Sequence, residues 1–492
     1  MRIPTPSEAE ALRGVLTANG FTDEGLIAKL GEIQLPTRRT GNLPRLLRLT
    51  ASGAPQDTLA RLFLFGVPVP EEAARAALAP VPLETVCSLG LLTRGNGRAA
   101  PAAAIHPYGS LLLAFDLPDR LAAGAASDVV MGITASSVDC AHFTVRRPVD
   151  SLLDLGTGCG FQAFLGAEHA RRVWAVDRCA RAVEFARFNA ALNALPNVEC
   201  LEGDRFEPVR GRRFTQIVGN LPFVIGPAGR YLYRDGGFEL DGFCRAVVRE
   251  APAYLEEGGL CQLMCEWPHI AGQDWRERLS SWFDGTGCDA WVLKLGENDP
   301  LRYAEAWVRE TESGGAADGA RLFDAWAEYL EGRGVERIAT GLIAMRRAPG
   351  GRNWFHVDGW PEHLSAPFGE GVLRGMALGD FLHRGAGARD ESLLAARLAI
   401  APEARVTAQN AWSPDGWRLL ETRLGLQGWP RHEGALPPNL LNLLNYIDGR
   451  RTLGEAVALL AGRLRAPAAQ VAEACLPAVR ELIAGGFLLP SD

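Results

Sequence analysis

Between residues 125 and 348, short apolar runs alternate with longer stretches in which apolar residues recur every three or four positions. The short runs predict buried strands, and the longer spacing predicts helices. In ARAVEFARFNAALNA, for example, Val183, Ala186 and Ala190 form one helical stripe. The predicted strands are SLLDLG, RVWAVD, VECLEGD, FTQIVGN, GLCQLMCEW, DAWVLKLG and RIATGLIAMRRA. Strands that alternate with helices predict an α/β domain with a parallel, doubly wound sheet.

The two ends of the chain predict smaller, mainly helical modules. Short helical segments lead to GNGRAAPAAAIHPYGS, whose Gly-Asn-Gly favours a hairpin, and this order is typical of a winged helix. Near the other end, Thr452 and Glu455 form a capping box before an apolar helix, in a second winged-helix-like unit. We therefore predict a winged-helix-like domain at 1–105, an α/β domain at 106–348, a connecting region of unclear structure at 349–433 and a winged-helix-like module at 434–492.

The composition is that of an ordinary soluble protein, with 492 residues of which 47% are hydrophobic and 22% charged. A net charge of −7 argues against non-specific coating of nucleic acid. No apolar run is long enough to span a bilayer, and the first residues, MRIPTPSEAEALRG, lack the apolar core of a secretory signal. The ten cysteines form no C-x-x-C pair and no zinc-type cluster. We therefore expect a cytoplasmic protein without a metal site or a membrane partner.

The segment LLDLGTGCGFQA places Gly156, Gly158 and Gly160 between a predicted strand and a predicted helix. Glycines at such a position let the backbone turn sharply and approach a ligand closely. The spacing differs from the dinucleotide fingerprint G-x-G-x-x-G. Asp154, two residues before the first glycine, is a poor neighbour for phosphate and suits a ligand with positive charge, such as an amino group or a sulfonium. A tight structural turn is the alternative interpretation.

Two further acids end predicted strands at the same edge of the sheet. Asp177 ends RVWAVD, where a carboxylate can accept hydrogen bonds from both hydroxyls of a ribose. Asp204 ends the next strand in EGDRF, where a carboxylate can accept from the exocyclic amine of an adenine. A helix N-cap is the alternative for Asp177. The order of the glycine turn and the two acids along one edge makes the set far less ambiguous than each residue alone.

On these residues, the stretch 125–348 resembles the class I S-adenosylmethionine-dependent methyltransferases. The match consists of D-L-G-T-G-C-G for the loop, Asp177 for the ribose and Gly203-Asp204 for the adenine region. The resemblance implies an enzyme with a Rossmann-like seven-stranded sheet and S-adenosylmethionine as cofactor. It implies cofactor contacts from Asp154, Gly156, Thr157, Gly158, Gly160, Asp177, Asp204, Arg205 and Asn220. It also places the segment 128–143 over the cofactor, with Thr134 as a candidate contact and a structural lead-in as the alternative.

The fourth predicted strand ends in Asn220-Leu221-Pro222-Phe223, although asparagine and proline are poor strand residues. The four residues resemble the (N/D)-P-P-(Y/F) motif of methyltransferases that act on planar nitrogens. In that family the asparagine side chain and the next carbonyl accept hydrogen bonds from an NH2 group, and the aromatic ring stacks on the acceptor. The resemblance implies that Asn220, Leu221, Pro222 and Phe223 are catalytic, with the proline stiffening the turn. A plain turn is the alternative.

The stretch after this motif favours a glutamine acceptor. It resembles the Y-x-D-G-G-x-D-G segment of the protein-glutamine N5 methyltransferases that modify release factors, through Arg234, Asp235, Gly236, Gly237, Asp241 and Gly242. Leu221 departs from that family, and N-L-P-F is close to the N-(L/I)-P-(Y/F) of ribosomal RNA adenine dimethyltransferases. We expect an N-methyltransferase for a protein glutamine, with a translation factor as a candidate partner. The alternative is an RNA or DNA adenine N6-methyltransferase.

The segments outside the sheet leave two further hypotheses open. The whole chain resembles bacterial "methyltransferase small domain" proteins with added winged-helix ends. Arg38, Arg39, Arg45 and Arg48 could form a phosphate-binding face for nucleic acid or a solvated helix surface. A non-catalytic cofactor-sensing or scaffolding protein is the remaining possibility, and an intact Asn220 and Phe223 weigh against it.

Trp267 and His269 follow the fifth predicted strand. They are candidates to line the acceptor pocket, with packing at the sheet edge as the alternative.

Overall fold

The computed structural model describes residues 1–31, 42–117, 127–227, 231–311, 316–348, 350–360, 363–426, 428–430 and 433–491. The chain divides into two compact units, Met1–Trp282 with Glu297–Thr340, and Phe283–Gly296 with Gly341–Asp492. Among the described helices, none is both long enough and apolar enough to cross a membrane. Arg38 and Arg39 lie outside the described residues. The predicted domain boundaries and the two winged-helix-like modules remain predictions.

The N-terminal part of the first unit is mainly helical. Its helices are α1 Pro6–Ala18, α2 Asp23–Leu30, α3 Leu43–Leu49, α4 Pro55–Leu59, a π-helix at Ala60–Leu64, α5 Glu71–Leu78 and α6 Leu83–Ser88. Its strands are β1 Val69–Pro70, β2 Leu92–Gly95, β3 Arg98–Pro101, β4 Ala104–Tyr108 and β5 Leu111–Phe115. β2 and β3 pair antiparallel across Asn96 and Gly97, which both have positive φ, as a tight hairpin turn requires.

The rest of the first unit alternates strands with helices, as the apolar pattern predicts. Its elements are α7 Ala135–Phe143, β6 Val149–Leu155, α8 Phe161–Ala167, β7 Ala170–Asp177, α9 Ala180–Leu192, β8 Val198–Glu202, β9 Phe214–Asn220, α10 Gly242–Glu250, β10 Leu255–Ile270, α11 Trp275–Ser280, α12 Pro300–Thr311 and α13 Ala316–Glu331, with short 3-10 helices at Glu207–Val209 and Ala251–Tyr254. The strands lie in the order β10, β9, β6, β7, β8, and each neighbouring pair is parallel. The prediction of an α/β fold with a mostly parallel, Rossmann-like sheet is confirmed.

The strand order reverses at β6, which lies between β7 and β9. In the register, Asp154 of β6 lies level with Ala175 of β7 and Val218 of β9. The last residues of all three strands therefore reach the same edge of the sheet. Ligands of open α/β sheets bind at such a reversal, beyond the carboxyl ends of the strands.

Asn189 of α9 ties this edge of the sheet to the N-terminal part. Its side chain is fully buried, accepts a hydrogen bond from the backbone N–H of Ala114 in β5 (2.8 Å) and donates one back to the Ala114 carbonyl (2.8 Å). The amide also donates to the carbonyl of Cys159, in the glycine loop, at 2.9 Å. One buried amide thus satisfies three backbone groups and holds the loop against α9.

The second unit combines short sheets with helices. One boundary between the units follows Trp282, and the other two fall within β11 Cys288–Asn298 and β12 Val335–Arg347. The further elements are β13 Phe355–Gly359, α14 Gly369–His383, a 3-10 helix at Ala386–Ala388, α15 Asp390–Ala395, β14 Arg397–Ile400, β15 Ala404–Ser413, β16 Gly416–Leu426, β17 Glu433–Ala435, α16 Pro438–Leu444, α17 Leu453–Leu464, α18 Ala468–Ala484 and β18 Leu488–Ser491. The capping box of Thr452 and Glu455 is present at the start of α17. Buried Asp289 accepts hydrogen bonds from Arg346 (2.7 Å) and Arg384 (2.6 Å), so its charge is paired.

Candidate active site

A cavity of about 430 Å³ opens at the carboxyl ends of β6, β7 and β9 in the first unit. Its walls come from separate stretches of the chain, namely residues 129–132, 134–137, 155–159, 176–179, 203–205, 220–224 and 232–234. Every cofactor-contact residue predicted from the sequence lines this cavity except Asp154 and Gly160, which are not among its lining residues. The geometry therefore brings the glycine loop, the strand-end acids and the Asn-Leu-Pro-Phe segment together around one space.

The glycine loop follows β6 with a backbone that only glycine adopts easily. Gly156, Gly158 and Gly160 have φ values of +69°, +56° and +97°. A Cβ on Gly158 would meet no atom within 4 Å, so this face of the loop is open toward the cavity. A Cβ on Gly160 would instead lie 2.2 Å from the Phe164 ring. Gly158 therefore leaves room for a ligand, and Gly160 lets α8 begin close to the loop.

Asp154 lies beneath the glycine loop and not on the cavity wall. Its side chain is 1% exposed, and Oδ2 accepts hydrogen bonds from Thr157 Oγ1 (2.7 Å) and from the backbone N–H of Ala163 (3.0 Å). Burial raises the pKa of Asp154 to about 7. The expected direct contact with a positively charged ligand is thus replaced by support of the loop, because the partners of the carboxylate are the loop and the first turn of α8.

Asp177, at the tip of β7, lines the cavity with its carboxylate already fixed in place. Oδ2 accepts from the Gly158 N–H and Oδ1 from the Cys179 N–H, both at 2.9 Å. Burial raises the pKa of Asp177, and these two hydrogen bonds act in the opposite direction. Each oxygen has a further lone pair available, so the residue can still accept two hydroxyl groups. The N-cap of α9 is Cys179 and not Asp177, so the N-cap interpretation of Asp177 is wrong, whereas its carboxylate can still accept ribose hydroxyls.

Asp204 and Arg205 lie at the rim of the cavity, after β8. The Asp204 side chain is 51% exposed and pairs with Arg205 Nε at 3.1 Å. Arg205 also pairs with Glu250 of α10 at 2.8 Å. The two residues border the cavity, but solvent reaches Asp204 much more than Asp177.

The Asn220-Leu221-Pro222-Phe223 segment leaves β9 directly beside the glycine loop. A Cβ on Gly156 would lie 4.0 Å from both the Asn220 carbonyl oxygen and Pro222 Cδ. Leu221 is 4% exposed, whereas Pro222 and Phe223 are half-buried on the cavity wall. The ends of β6 and β9 therefore converge, as predicted.

The Asn220 amide is oriented by two hydroxyl groups from the start of α7. Its Nδ2 donates to Ser137 Oγ at 3.2 Å and to Ser136 Oγ at 3.4 Å. Ser137 is held in turn by Thr134, the N-cap of α7, in a reciprocal capping box. Sequence reasoning proposed Thr134 and missed the two serines. The T-A-S-S capping pattern could have identified the helix start, but not its partner 83 positions along the chain.

Trp267 and His269 do not line this cavity. Trp267 is fully buried in β10, and His269 stacks on Trp275 with ring centroids 4.7 Å apart. Trp307 of α12 does line the cavity, and the sequence analysis did not predict this helix. Tyr303 and Trp307, four residues apart, would have marked one face of that helix.

Arg234 also lines the cavity although its side chain is only 3% exposed. Its guanidinium lies 5.3 Å from the Tyr231 ring centroid and 5.2 Å from that of Trp326. An ion pair with Asp235 (3.2 Å) compensates the charge. The segment that resembles the glutamine methyltransferases thus forms part of the cavity wall.

These residues fit an S-adenosylmethionine molecule by their own chemistry. Asn220 Oδ1 is buried and has no hydrogen-bond partner among the described residues. Such an acceptor can be paired by water, by an ion or by a donor group of a bound molecule. The open face at Gly158 and the remaining lone pairs of Asp177 add space for a ligand and acceptors for hydroxyl groups.

Comparison with known proteins assigns the domain that carries this site. Residues 134–268 match the family model described as "Methyltransferase small domain". Two models described as domains of unknown function match residues 18–103 and 379–490. Residues 134–268, which carry most of this site, are therefore similar to a methyltransferase small domain.

Two glutamine methyltransferases are among the proteins similar to part of this chain. A release factor glutamine methyltransferase of Xylella fastidiosa is 34% identical over 139 residues, which cover 26% of this chain and 49% of that protein. A ribosomal protein uL3 glutamine methyltransferase of the same organism is 34% identical over 133 residues, or 24% and 42% of the two chains. This chain thus spans less than half the length of either relative. Residues 134–268 thus match the methyltransferase small domain family model, and the similar proteins include release factor glutamine methyltransferases.

Among solved structures, that of wild-type Trm5b from Pyrococcus abyssi has a TM-score of 0.31 and 16% identity, over 52% of this chain and 62% of that one. Similarity at this level carries no argument about function.

Proposed function

We propose that the protein is an S-adenosylmethionine-dependent N-methyltransferase that acts on a planar nitrogen, with a protein glutamine side chain as its acceptor. The observation that carries the proposal is the buried, unpartnered Oδ1 of Asn220 on the cavity wall beside the glycine loop. An acceptor amide with an NH2 group would satisfy this oxygen.

The residues around the glycine loop would hold the cofactor. Asp177 would accept the ribose hydroxyls, Gly158 would provide close approach of the backbone, and Asp204 would lie at the rim toward the adenine. When bound, S-adenosylmethionine supplies an electrophilic methyl group. Asp154 would act at a distance, because its carboxylate fixes Thr157 and the first turn of α8.

The Asn-Leu-Pro-Phe segment would orient the acceptor nitrogen. An amide nitrogen is a weak nucleophile because its lone pair is delocalised into the carbonyl group. Asn220 Oδ1 and the Leu221 carbonyl would each accept a hydrogen bond from one N–H of the acceptor amide. These hydrogen bonds would draw electron density toward the nitrogen and align its lone pair with the methyl group. The Asn220 amide nitrogen is already bound to Ser136 and Ser137, which would leave its oxygen for the acceptor. The nitrogen would bond to the methyl carbon as the carbon–sulfur bond breaks, with the electron pair going to sulfur. The nitrogen would lose its proton to solvent after the transfer, so no strong base is required; orientation alone can offset about 7–11 kcal/mol of barrier in favourable cases.

Glutamine is preferred over adenine as the acceptor because of the segment that follows. The similar proteins are named for release factor and uL3 glutamine methylation, and their similarity supports the same acceptor here. Arg234 and Asp235, from the stretch that resembles those enzymes, stand on or next to the cavity wall. Leu221, the residue that resembles adenine methyltransferases, contributes a backbone carbonyl whichever side chain it bears.

The test uses purified protein, S-adenosylmethionine with a labelled methyl group and a lysate of cells that lack the gene. The labelled lysate is divided and treated with protease or with nuclease, and methylglutamine is sought by mass spectrometry after digestion. We expect label that protease releases and nuclease does not. Label released only by nuclease would identify the adenine alternative instead.

Asn220→Ala is the matched control for this experiment, with cofactor affinity measured by calorimetry. We expect this variant to bind S-adenosylmethionine within a few-fold of the wild type and to transfer no detectable methyl group. Cofactor binding by the wild type without label in either fraction would favour the sensing role and contradict the proposal.

A further inference from the structure

The strands β15 and β16 form a two-stranded ribbon in the second unit whose two faces differ in polarity. The register pairs Val406 with Leu424, Asn410 with Leu419 and Trp412 with Trp417. Paired residues of an antiparallel ribbon lie on the same face, and residues two apart along a strand share that face. A register shift between Gln409 and Asn410 keeps Leu419 and Trp417 on this face. One face is therefore mostly apolar along its whole length.

The apolar face is buried at the base of the ribbon and exposed toward its tip. Leu424 and Leu426 are 5% and 1% exposed, as expected for a core-facing strand. Further out, Trp412 is 67% exposed and Trp417 is 71% exposed. The two indoles pack edge to face at 5.7 Å, which stabilises the ribbon but leaves most of their surface in water. The same face that forms core at one end lacks a cover at the other.

The charged residues on the opposite face of the ribbon argue against nucleic acid as the partner that covers the apolar face. Arg418 is paired with Asp415 at 2.7 Å, and Arg423 is paired with Glu421 at 3.2 Å. Phosphate binding requires cationic groups that can neutralise backbone charge, whereas these arginines already have carboxylate partners. Aromatic residues with few net charges are instead typical of the centre of a protein interface.

The edge of the ribbon also favours a β partner. In the described part of the second unit, β15 is the outermost strand of the sheet β15-β16-β17. Its ten residues, ARVTAQNAWS, contain no proline and no lysine, the residues that commonly protect an edge strand. A strand of this length at an edge can pair with another strand.

We propose that this face is the contact between two copies of the chain, related by a two-fold axis. The paired positions of the apolar face carry no charged side chain, so the face can be complementary to itself, as such an interface requires. At about 250 Å² for a whole tryptophan, Trp412 and Trp417 expose roughly 350 Å² between them. Two copies, with Leu419 and Val406 included, would cover about 1,000 Å², which is the lower limit for a specific interface.

Sedimentation equilibrium of the full chain at about 1–100 μM tests this contact. We expect a particle of twice 53.0 kDa at the upper end of this range. Leu419→Asp places a charge on the face while keeping the tryptophan pair, and we expect it to weaken association at least 100-fold. Leu459→Asp is the matched control on α17, where Leu459 is 46% exposed, and we expect it to dimerise like the wild type.

A wild-type monomer at the highest concentration, or an assembly larger than a dimer, would overturn the proposal. Dimerisation of Leu419→Asp equal to that of the wild type would overturn it as well. Circular dichroism of the variants shows whether the second unit is folded. The double variant Trp412→Ser/Trp417→Ser gives a second measure, because it removes apolar surface without adding charge, and it should also be monomeric.

Discussion

The side-chain nitrogen of Asn220 donates a hydrogen bond to Ser137 Oγ at 3.2 Å, across 83 positions of the chain. In this arrangement the amide nitrogen is occupied, whereas the amide oxygen has no partner in the described structure. A residue outside the Asn-Leu-Pro-Phe segment thus contributes to its geometry.

Ser137→Ala should lower kcat by about 10-fold, because one lost hydrogen bond costs roughly 1.4 kcal/mol and this energy corresponds to a tenfold change in rate. The KM for S-adenosylmethionine should stay within about two-fold, because the change affects only the orientation of the Asn220 amide. Ser137→Thr, which keeps the hydroxyl group, should recover most of kcat. Since Ser137 also takes part in the cap of α7, a melting curve of each variant must accompany the kinetics. Equal kcat for the alanine variant and the wild type would show that Ser137 does not position the amide.

Asp177→Ala should weaken S-adenosylmethionine binding by about 1–3 kcal/mol, or roughly 5- to 150-fold, because two buried acceptor atoms are lost. Asp204→Ala is the comparison, with an expected change of less than about three-fold, because the Asp204 side chain is 51% exposed and water can replace it. Isothermal titration calorimetry measures both. Equal losses for the two variants would contradict the different roles assigned to the two acids.

Gly158→Ala should reduce cofactor affinity at least 10-fold by placing a methyl group in the open side of the loop. Gly97→Ala, in the β2–β3 turn, is a closely matched control. Gly158 and Gly97 have φ values of +56° and +70°, and a Cβ at either would meet no atom within 4 Å. Both variants should therefore lose similar stability, of about 1 kcal/mol, but only Gly158→Ala should lose affinity. Normal cofactor binding by Gly158→Ala would place the ligand elsewhere.

The sequence pattern predicted those parts of the site that lie at the ends of strands. Parallel strands bring their carboxyl ends to one edge, so Asp177 and Asn220 could be placed together from their positions after apolar runs. The direction of the Asp154 side chain could not be predicted, because it depends on a hydroxyl group and an N–H that become neighbours only when the loop closes. For the same reason the serines that orient Asn220 carried no local signal of their role.

The sequence also could not show which tryptophan lines the cavity. Trp267 and Trp307 are both single tryptophans near the predicted sheet, and only tertiary contacts distinguish the buried one from the one at the cavity. The ribbon β15–β16 lies within the stretch whose structure the sequence left unclear. Its alternation is broken by the register shift after Gln409, so a simple period of two does not describe both strands.

Glu266→Gln should remove part of the pH dependence of stability. Glu266 of β10 is 4% exposed, and burial raises its pKa to about 7 from an ordinary value of 4.5. Because the folded state binds this proton more tightly than the unfolded state, the stabilisation is complete below about pH 4.5 and is lost as the pH rises through about 7. The variant should gain up to about 3 kcal/mol relative to the wild type between about pH 5 and pH 8.

Urea unfolding at these two pH values measures this difference. Asp154 titrates in the same direction, so the slope should decrease without vanishing. Glu257→Gln, at an exposed position of the same strand, should follow the wild type. An equal change in unfolding free energy with pH for Glu266→Gln and the wild type would show that the buried carboxyl does not cause the pH dependence of stability.

The helix α12 joins two functions that enzymes often separate. Its Tyr303 hydroxyl accepts a hydrogen bond from the Ile225 N–H at 2.9 Å and donates one to buried Glu266, while Trp307, one turn later, borders the cavity. A rigid shift of this single helix would therefore move Trp307 at the cavity and the segment after Phe223 at the same time. Under the proposed function, the cavity wall and the segment that would orient the acceptor are thus mechanically linked.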